Sequence, residues 1–257
     1  MSSTFPLALT FLTVLPWRGL GEVGPRDLAR SMFWFPWVGL ILGLGFGAGM
    51  WLFHIFILPL AAALLLVMTV LATRGLHLDG LADTVDGLGG GKTPQERLAI
   101  MKDSRLGAFG AMSLFLVLLL KFTLFLACGD KAGIPVLILF PVLSRWGMVF
   151  LAYLSPYARP EGGLGQAMTL GVTGRVLLGA SLSAAVLAFL IARAGGLLVL
   201  ALAAGVVWLL SLYFQKKLGG VTGDVLGATN EVLEILALLG LLCCARFIPP
   251  IFSLRFF

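Results

Sequence analysis

The chain has 257 residues, of which 60% are hydrophobic and only 12% charged, and its mean hydropathy is +1.05. A soluble globule of this size cannot hide so much apolar surface, so a soluble enzyme, a disordered tail and a secreted disulfide scaffold are all excluded. The net charge of +6 reads as basic loops beside a membrane rather than as a nucleic-acid surface, and no nucleic-acid partner is expected.

In chain order, Phe5–Leu15 is apolar but too short to cross a bilayer and ends at Pro16, so it reads as a re-entrant or interfacial piece. Runs of the length needed to span follow at 32–53, 56–73, 110–128, 134–153, 176–194, 197–214 and 232–248. The expectation is an all-α, polytopic transmembrane helix bundle of about seven spans, forming one domain over residues 1–257. Gly39, Gly43 and Gly47 in the first span make a small-xxx-small series that lets a neighbouring helix approach closely. Cys128, Cys243 and Cys244 lie in apolar runs with no histidine at ligand spacing and read as inert buried residues. The first residues lack the basic start and cleavage site of a signal peptide, so no processing is expected.

Placing the N-terminus inside collects Arg18, Arg26, Arg30, Arg74, Lys92, Arg97, Lys102, Arg105, Arg159, Arg175, Lys216 and Lys217 on one face. The other face then carries Lys131, Arg193, Arg246 and Arg255. That bias predicts a multi-pass protein of the inner or plasma membrane with its catalytic loops and active site on the cytoplasmic face. The polar stretches 74–109, 154–175 and 215–231 all open to that face.

Of the 12 acidic residues, Asp79, Asp83, Asp86 and Asp103 fall in the first of these stretches, and Asp224, Glu231 and Glu234 at or just beyond the last. Asp79, Asp83 and Asp86 stand at i, i+4 and i+7, on one face if the segment is helical. Like charges at that spacing repel, and a divalent cation turns the repulsion into attraction. Hard oxygen donors favour Mg²⁺ or Mn²⁺ over Zn²⁺. Gly89-Gly-Gly-Lys92-Thr93 lacks the spacing of a phosphate loop and reads as a hinge. Arg97, Lys102 and Arg105 follow, the cations a diphosphate needs beside a metal. Glu231 and Glu234 share a helix face, either opening a helix or reaching into the site. Lys121 and Arg145 fall within spans, where a charge faces the bundle interior: they either tie the glutamates or reach an anionic substrate.

These residues carry a resemblance. His77-Leu-Asp-Gly-Leu-Ala-Asp-Thr-Val-Asp-Gly-Leu, Ile100-Met-Lys-Asp-Ser-Arg-Leu-Gly-Ala-Phe-Gly110, Pro156-Tyr-Ala-Arg-Pro160 with Gly162 to Gly165, and Thr222-Gly-Asp-Val-Leu-Gly-Ala-Thr-Asn-Glu231 together resemble the cobalamin synthase family. Its members are adenosylcobinamide-GDP ribazoletransferases. The resemblance implies transfer of adenosylcobinamide phosphate from adenosylcobinamide-GDP to α-ribazole or its 5′-phosphate, with release of GMP and a requirement for Mg²⁺. It implies catalytic and metal roles for Asp79, Asp83, Asp86 and Asp103. It implies substrate binding by Arg97, Lys102, Arg105, Lys121, Arg145, Arg159, Asp224, Asn230 and Glu231. The corrin suits an apolar bundle pocket open to the cytoplasm. Membrane lipid is a partner, and self-association is left open. CDP-alcohol phosphotransferases are similar in reaction, but their aspartate spacing is not met here. A transporter would place carboxylates deep in several spans, whereas most here lie in loops or at helix ends.

Overall fold

A computed structural model describes residues 4–129 and 133–248, and these are helical apart from their connections and one isolated bridge. The helices are α1 (Thr4–Leu12), α2 (Pro25–Ser31), α3 (Phe35–Phe53), α4 (Leu58–Ala72), α5 (Leu76–Gly90), α6 (Pro94–Ile100), α7 (Ala108–Ala127), α8 (Gly133–Leu154), α9 (Leu164–Gly171), α10 (Gly174–Leu218) and α11 (Gly223–Phe247). Five helical stretches among the described residues are long and apolar enough to cross a membrane, and six if the bent pair α4 and α5 counts as one span.

The expected spans map onto α3, α4, α7, α8, α10 and α11. The runs 176–194 and 197–214 form one element of 45 residues, which would reach about 68 Å if straight, roughly twice a bilayer core. It is not straight. Ala192 and Arg193 leave helical geometry, Arg193 at φ 51°. Beyond them Gly196 packs so closely on the carbonyl of Ala188 that a Cβ would collide with it. The element is therefore a hairpin of two limbs, as the two runs anticipate. α4 has only 15 residues, and the chain then turns by 85° into α5. Arg74 and Gly75 make that turn, both with positive φ. The Arg74 guanidinium donates to the carbonyls of Thr10 and Thr13, docking the short α1 against the corner. The apolar run at 5–15 is thus a docked helix with Leu7, Ala8, Leu9 and Leu12 buried.

α8 is the hub, packed against α3, α10 and α11. Gly39 and Gly43 lie directly on the α8 backbone at Pro141 and Ile138, leaving no room for side chains there. This is the close approach their spacing predicts. The chain reverses at Ala192–Arg193, and the remaining links place the polar stretches 74–109, 154–175 and 215–231 together at one end of the bundle. Two expectations change. Cys243 is exposed on the outer face of α11 rather than buried. The stretch 74–109 is mostly helix, because Asp79 to Gly90 stays amphipathic and Thr93 and Glu96 form a capping box that starts α6. The glycines before Lys92 close α5 and turn the corner. Lys131 and Arg255 lie outside the described residues.

Candidate active site

The polar end is organised by the crossing of α5 over the first turn of α11. Gly80 permits it: a Cβ there would stand 2.7 Å from the carbonyl oxygen of Asp224. The crossing brings Asp79 and Asp83, about one turn apart on α5, beside Asp224. Thr222 caps α11 by accepting from the amide of Val225 at 3.3 Å. Pro156–Ala158 pairs with Val221 through two backbone hydrogen bonds of 2.9 Å. That pairing holds Arg159 over α11, where its guanidinium donates to the Asp224 carboxylate at 2.7 Å.

These groups surround a cavity of ≈ 250 Å³. Asp79, Asp224, Arg159 and Tyr157 supply its polar lining, and Phe11, Leu76, Met148, Met168 and Leu226 its apolar wall. Asp83 lies in the field of Asp79 and Asp224, half-buried. Partial burial, then repulsion from those two carboxylates, pushes its pKa up to about 6. The Tyr157 hydroxyl, which donates to the carbonyl of Gly162 at 3.2 Å, is also raised by desolvation.

The other candidates divide. Asp86 is buried, and both its oxygens accept from backbone amides at the start of α7, those of Gly107 and Gly110, each at 2.8 Å. It caps a helix it does not belong to. Asp103 pairs with Arg105 at 2.5 Å in an exposed turn, and that hydrogen bond holds its carboxyl at about 2. Lys102 forms an ion pair with Glu161. Arg97 donates to the carbonyls of Gly91 and Lys217, at 3.0 and 2.9 Å, and so clamps α6 to the end of α10.

Lys121, Arg145, Asn230, Glu231 and Glu234 form a separate cluster about two to three turns deeper along α11. Lys121 bonds both glutamates at 2.5 Å, Arg145 bonds Glu234 and Ser144, and Asn230 donates to Glu234 at 3.0 Å. All five are buried. The two acidic blocks thus meet through Asp224 alone, while the glutamates are held by Lys121 and Arg145.

The structure adds residues that the charge pattern did not single out. His77 is 2% exposed, lines the cavity, and has no hydrogen-bond partner on either ring nitrogen. Tyr157 and the apolar wall join it. The signal for His77 was its place in the motif, two residues before Asp79, but nothing in its spacing marked it as buried.

A bundle that crosses the membrane several times and gathers aspartates and a guanidinium around a cavity at one end is a polytopic membrane protein with an acidic site. The chain belongs to the Cobalamin-5-phosphate synthase family, whose model matches residues 4–242. It is 45% identical over 247 residues to an adenosylcobinamide-GDP ribazoletransferase of Syntrophobacter fumaroxidans, covering 95% of this chain and 99% of that one. The enzyme of the same name from Desulfitobacterium hafniense is 40% identical over 243 residues, covering 91% of this chain and 94% of its own. That from Pseudomonas putida strain W619 is 43% identical over 243 residues, covering 92% and 97%. No solved structure matches the chain.

Proposed function

We infer that the chain is the ribazoletransferase that completes the nucleotide loop of cobalamin. A ribose hydroxyl of α-ribazole, or of its 5′-phosphate, attacks the phosphorus of adenosylcobinamide-GDP that carries the cobinamide arm. The new O–P bond forms as the bridging P–O bond breaks, the hydroxyl proton is lost, and GMP leaves. The observation that carries this reading is the α5–α11 crossing, which sets Asp79 and Asp224 at the cavity, with Asp83 beside them, against the guanidinium of Arg159.

That donor set fits Mg²⁺. It consists of hard oxygens, and the pKa of Asp83, raised first by burial, is raised further by the negative charge of Asp79 and Asp224. Among the described residues no group of three or more His, Cys, Asp or Glu side chains is arranged to hold a metal unaided. Asp79, Asp83 and Asp224 would therefore hold Mg²⁺ only together with substrate phosphates. When bound, Mg²⁺ neutralises the diphosphate and the leaving GMP. Arg159 holds a phosphate oxygen from the other side. The first-turn amides of α11, exposed at Gly223, add the positive end of a helix. Asp86 and Arg97 hold α7 and α6 in register around the site.

The cavity is slightly smaller than the roughly 300–1,000 Å³ usual for small-molecule sites. It has room for a nucleoside, its flat base against the apolar wall, and none for a corrin, which stays at the open face. The arginines and lysines gathered at this end favour a cytoplasmic location for it by the positive-inside rule. Labelling of a cysteine introduced at Gly90 only from the cytoplasmic side is the expected result, and labelling only from the opposite side reverses the threading. The activity is tested with the purified protein, adenosylcobinamide-GDP, α-ribazole and Mg²⁺. GMP and adenosylcobalamin should appear together, and their absence with every component present overturns the assignment.

A further inference from the structure

At the same end of the bundle, away from the cavity, Arg26 and Arg30 of α2 and Arg175 of α10 line one surface cleft together with Thr173 and Gly174. All three guanidiniums are exposed, and none has an ion-pair partner among the described residues. Asp27, which borders an adjoining hollow with Arg30 and Arg175, accepts from the amide of Gly24 at 3.1 Å and forms no ion pair among the described residues. Arg175 sits in the first turn of α10, just after the capping residue Thr173, where the helix already presents its positive end. A cation in that position opposes the helix dipole, so helix stability does not account for it. Three cationic side chains and a helix start therefore converge with no ion-pair partner among the described residues.

The surroundings of the cleft say what the neutralising group is attached to. Trp34 and Phe33 border the adjoining hollow, which shares Arg30 and Arg175. The indole of Trp37 donates to Ser183 at 3.1 Å, on the next turns of α10. Such aromatic residues mark the membrane–water boundary. Below Arg175 the outward face of α10 continues with Leu178, Leu182 and Val186, each more than half exposed. A cationic cap above a lipid-facing apolar stripe matches a molecule with an anionic head and an acyl tail.

We propose that this cleft binds the phosphate headgroup of an anionic phospholipid, with one acyl chain along the outer face of α10. The lipid neutralises Arg26, Arg30 and Arg175 and staples α2 to α10. Helix α9 runs from the cavity at Met168 to the cleft at Gly171, so the lipid also braces one side of the substrate site. The proposal does not depend on which reaction the cavity performs.

The test uses the full chain in nanodiscs of phosphatidylcholine, with and without phosphatidylglycerol, reading melting temperature and lipids retained in native mass spectrometry. Phosphatidylglycerol should raise the melting temperature by several degrees and leave at least one copy bound. Arg26→Gln/Arg30→Gln/Arg175→Gln should abolish both effects. Lys216→Gln/Lys217→Gln, which removes basic charge elsewhere at the same end, should keep them. Equal loss in both variants means a general surface-charge effect and overturns the site. In pure phosphatidylcholine discs, inorganic phosphate should give no comparable shift. A shift abolished by the arginine variant would make the cleft a soluble-phosphate site and overturn the lipid assignment. The triple variant should also stay folded in phosphatidylcholine, with a melting temperature near that of the parent. Unfolding there would mean that the arginines hold the fold without lipid, which also overturns the proposal.

Discussion

Two charge clusters share α11 and differ in how they are neutralised. In the deeper one Lys121 and Arg145 meet Glu231 and Glu234, two cations against two anions, with every side chain almost removed from solvent. In the shallower one Asp79, Asp83 and Asp224 face Arg159, and Asp79 and Asp224 line a cavity. Both place charges where charges are expensive. The deeper cluster is balanced in charge and ties α7, α8 and α11 together, although Arg145 Nε and Asn230 Oδ1 are left without a hydrogen-bond partner among the described residues. The shallower carries more carboxylates than cations, an imbalance that the proposed Mg²⁺ would offset. Local charge balance, rather than the number of carboxylates, separates the tie from the site.

The largest effect that could break this contrast concerns turnover. Asp83→Asn and Asp224→Asn should each lower kcat by about a thousandfold, on the order of 4 kcal/mol in barrier height. The melting temperature of metal-free protein should stay level or rise, because repulsion is relieved. Near-native kcat in both variants would detach the shallow cluster from the chemistry. The deeper cluster should answer in the opposite way. Lys121→Met leaves two buried carboxylates facing one guanidinium and should destabilise the fold by about 3–5 kcal/mol. Restoring the balance with Lys121→Met/Glu231→Met should recover much of that loss. A stable Lys121→Met with kcat reduced as in Asp83→Asn would move the deeper cluster into the active site.

The contrast was only partly legible in the sequence. The spacing of Asp79 and Asp83 was enough to put them on one face, because that face depends on local helix geometry alone. The spans followed from length and hydropathy, down to the two limbs of α10. What Glu231 and Glu234 do depends on Lys121, 110 and 113 residues away in sequence, and on how α7 lies against α11. Spacing carries no such information, so the sequence left tie and ligand as equal readings. Asp86 shares its local pattern with Asp79 and Asp83. It differs because α7 starts beside it, a consequence of where α6 and its corner deliver the chain. His77 and Tyr157 had no charge pattern to announce them and emerge only once α5, α9 and α11 enclose a cavity.

Asp86 offers a smaller effect that sharpens the comparison. Its two oxygens satisfy amides at the α7 start that would otherwise be unpaired. Asp86→Ala should lower stability by about 1–2 kcal/mol, the range for a lost helix cap, seen as a reduced melting temperature. The kcat of the folded protein should fall far less than in Asp83→Asn. An unchanged melting temperature with turnover lost would return Asp86 to the metal site.

The smallest effect is a slope with pH. The Asp83 carboxyl is raised from its ordinary value of 3.8 to about 6 in the folded protein. Between those two values the folded chain binds more protons at this position than the unfolded chain, so stability falls as pH rises through that window. Above about pH 6 the penalty is complete and the slope vanishes. Asp83 is only half-buried, so solvent screens the repulsion and keeps the penalty well below what the shift alone implies. Metal-free protein should therefore melt at a slightly higher temperature at pH 4.5 than at pH 6.5, relative to Asp83→Asn, in which the window disappears. Saturating Mg²⁺ reverses the sign of the interaction at Asp83, since the cation favours the charged carboxylate that its neighbours disfavour. Mg²⁺ should accordingly raise the melting temperature more at pH 6.5 than at pH 4.5, because at the lower pH it must displace a proton to bind. A Mg²⁺-induced shift of equal size at both pH values, or the same shift in Asp83→Asn, would mean that the cation is not held by this carboxylate. The raised pKa would then report crowding among aspartates and nothing more.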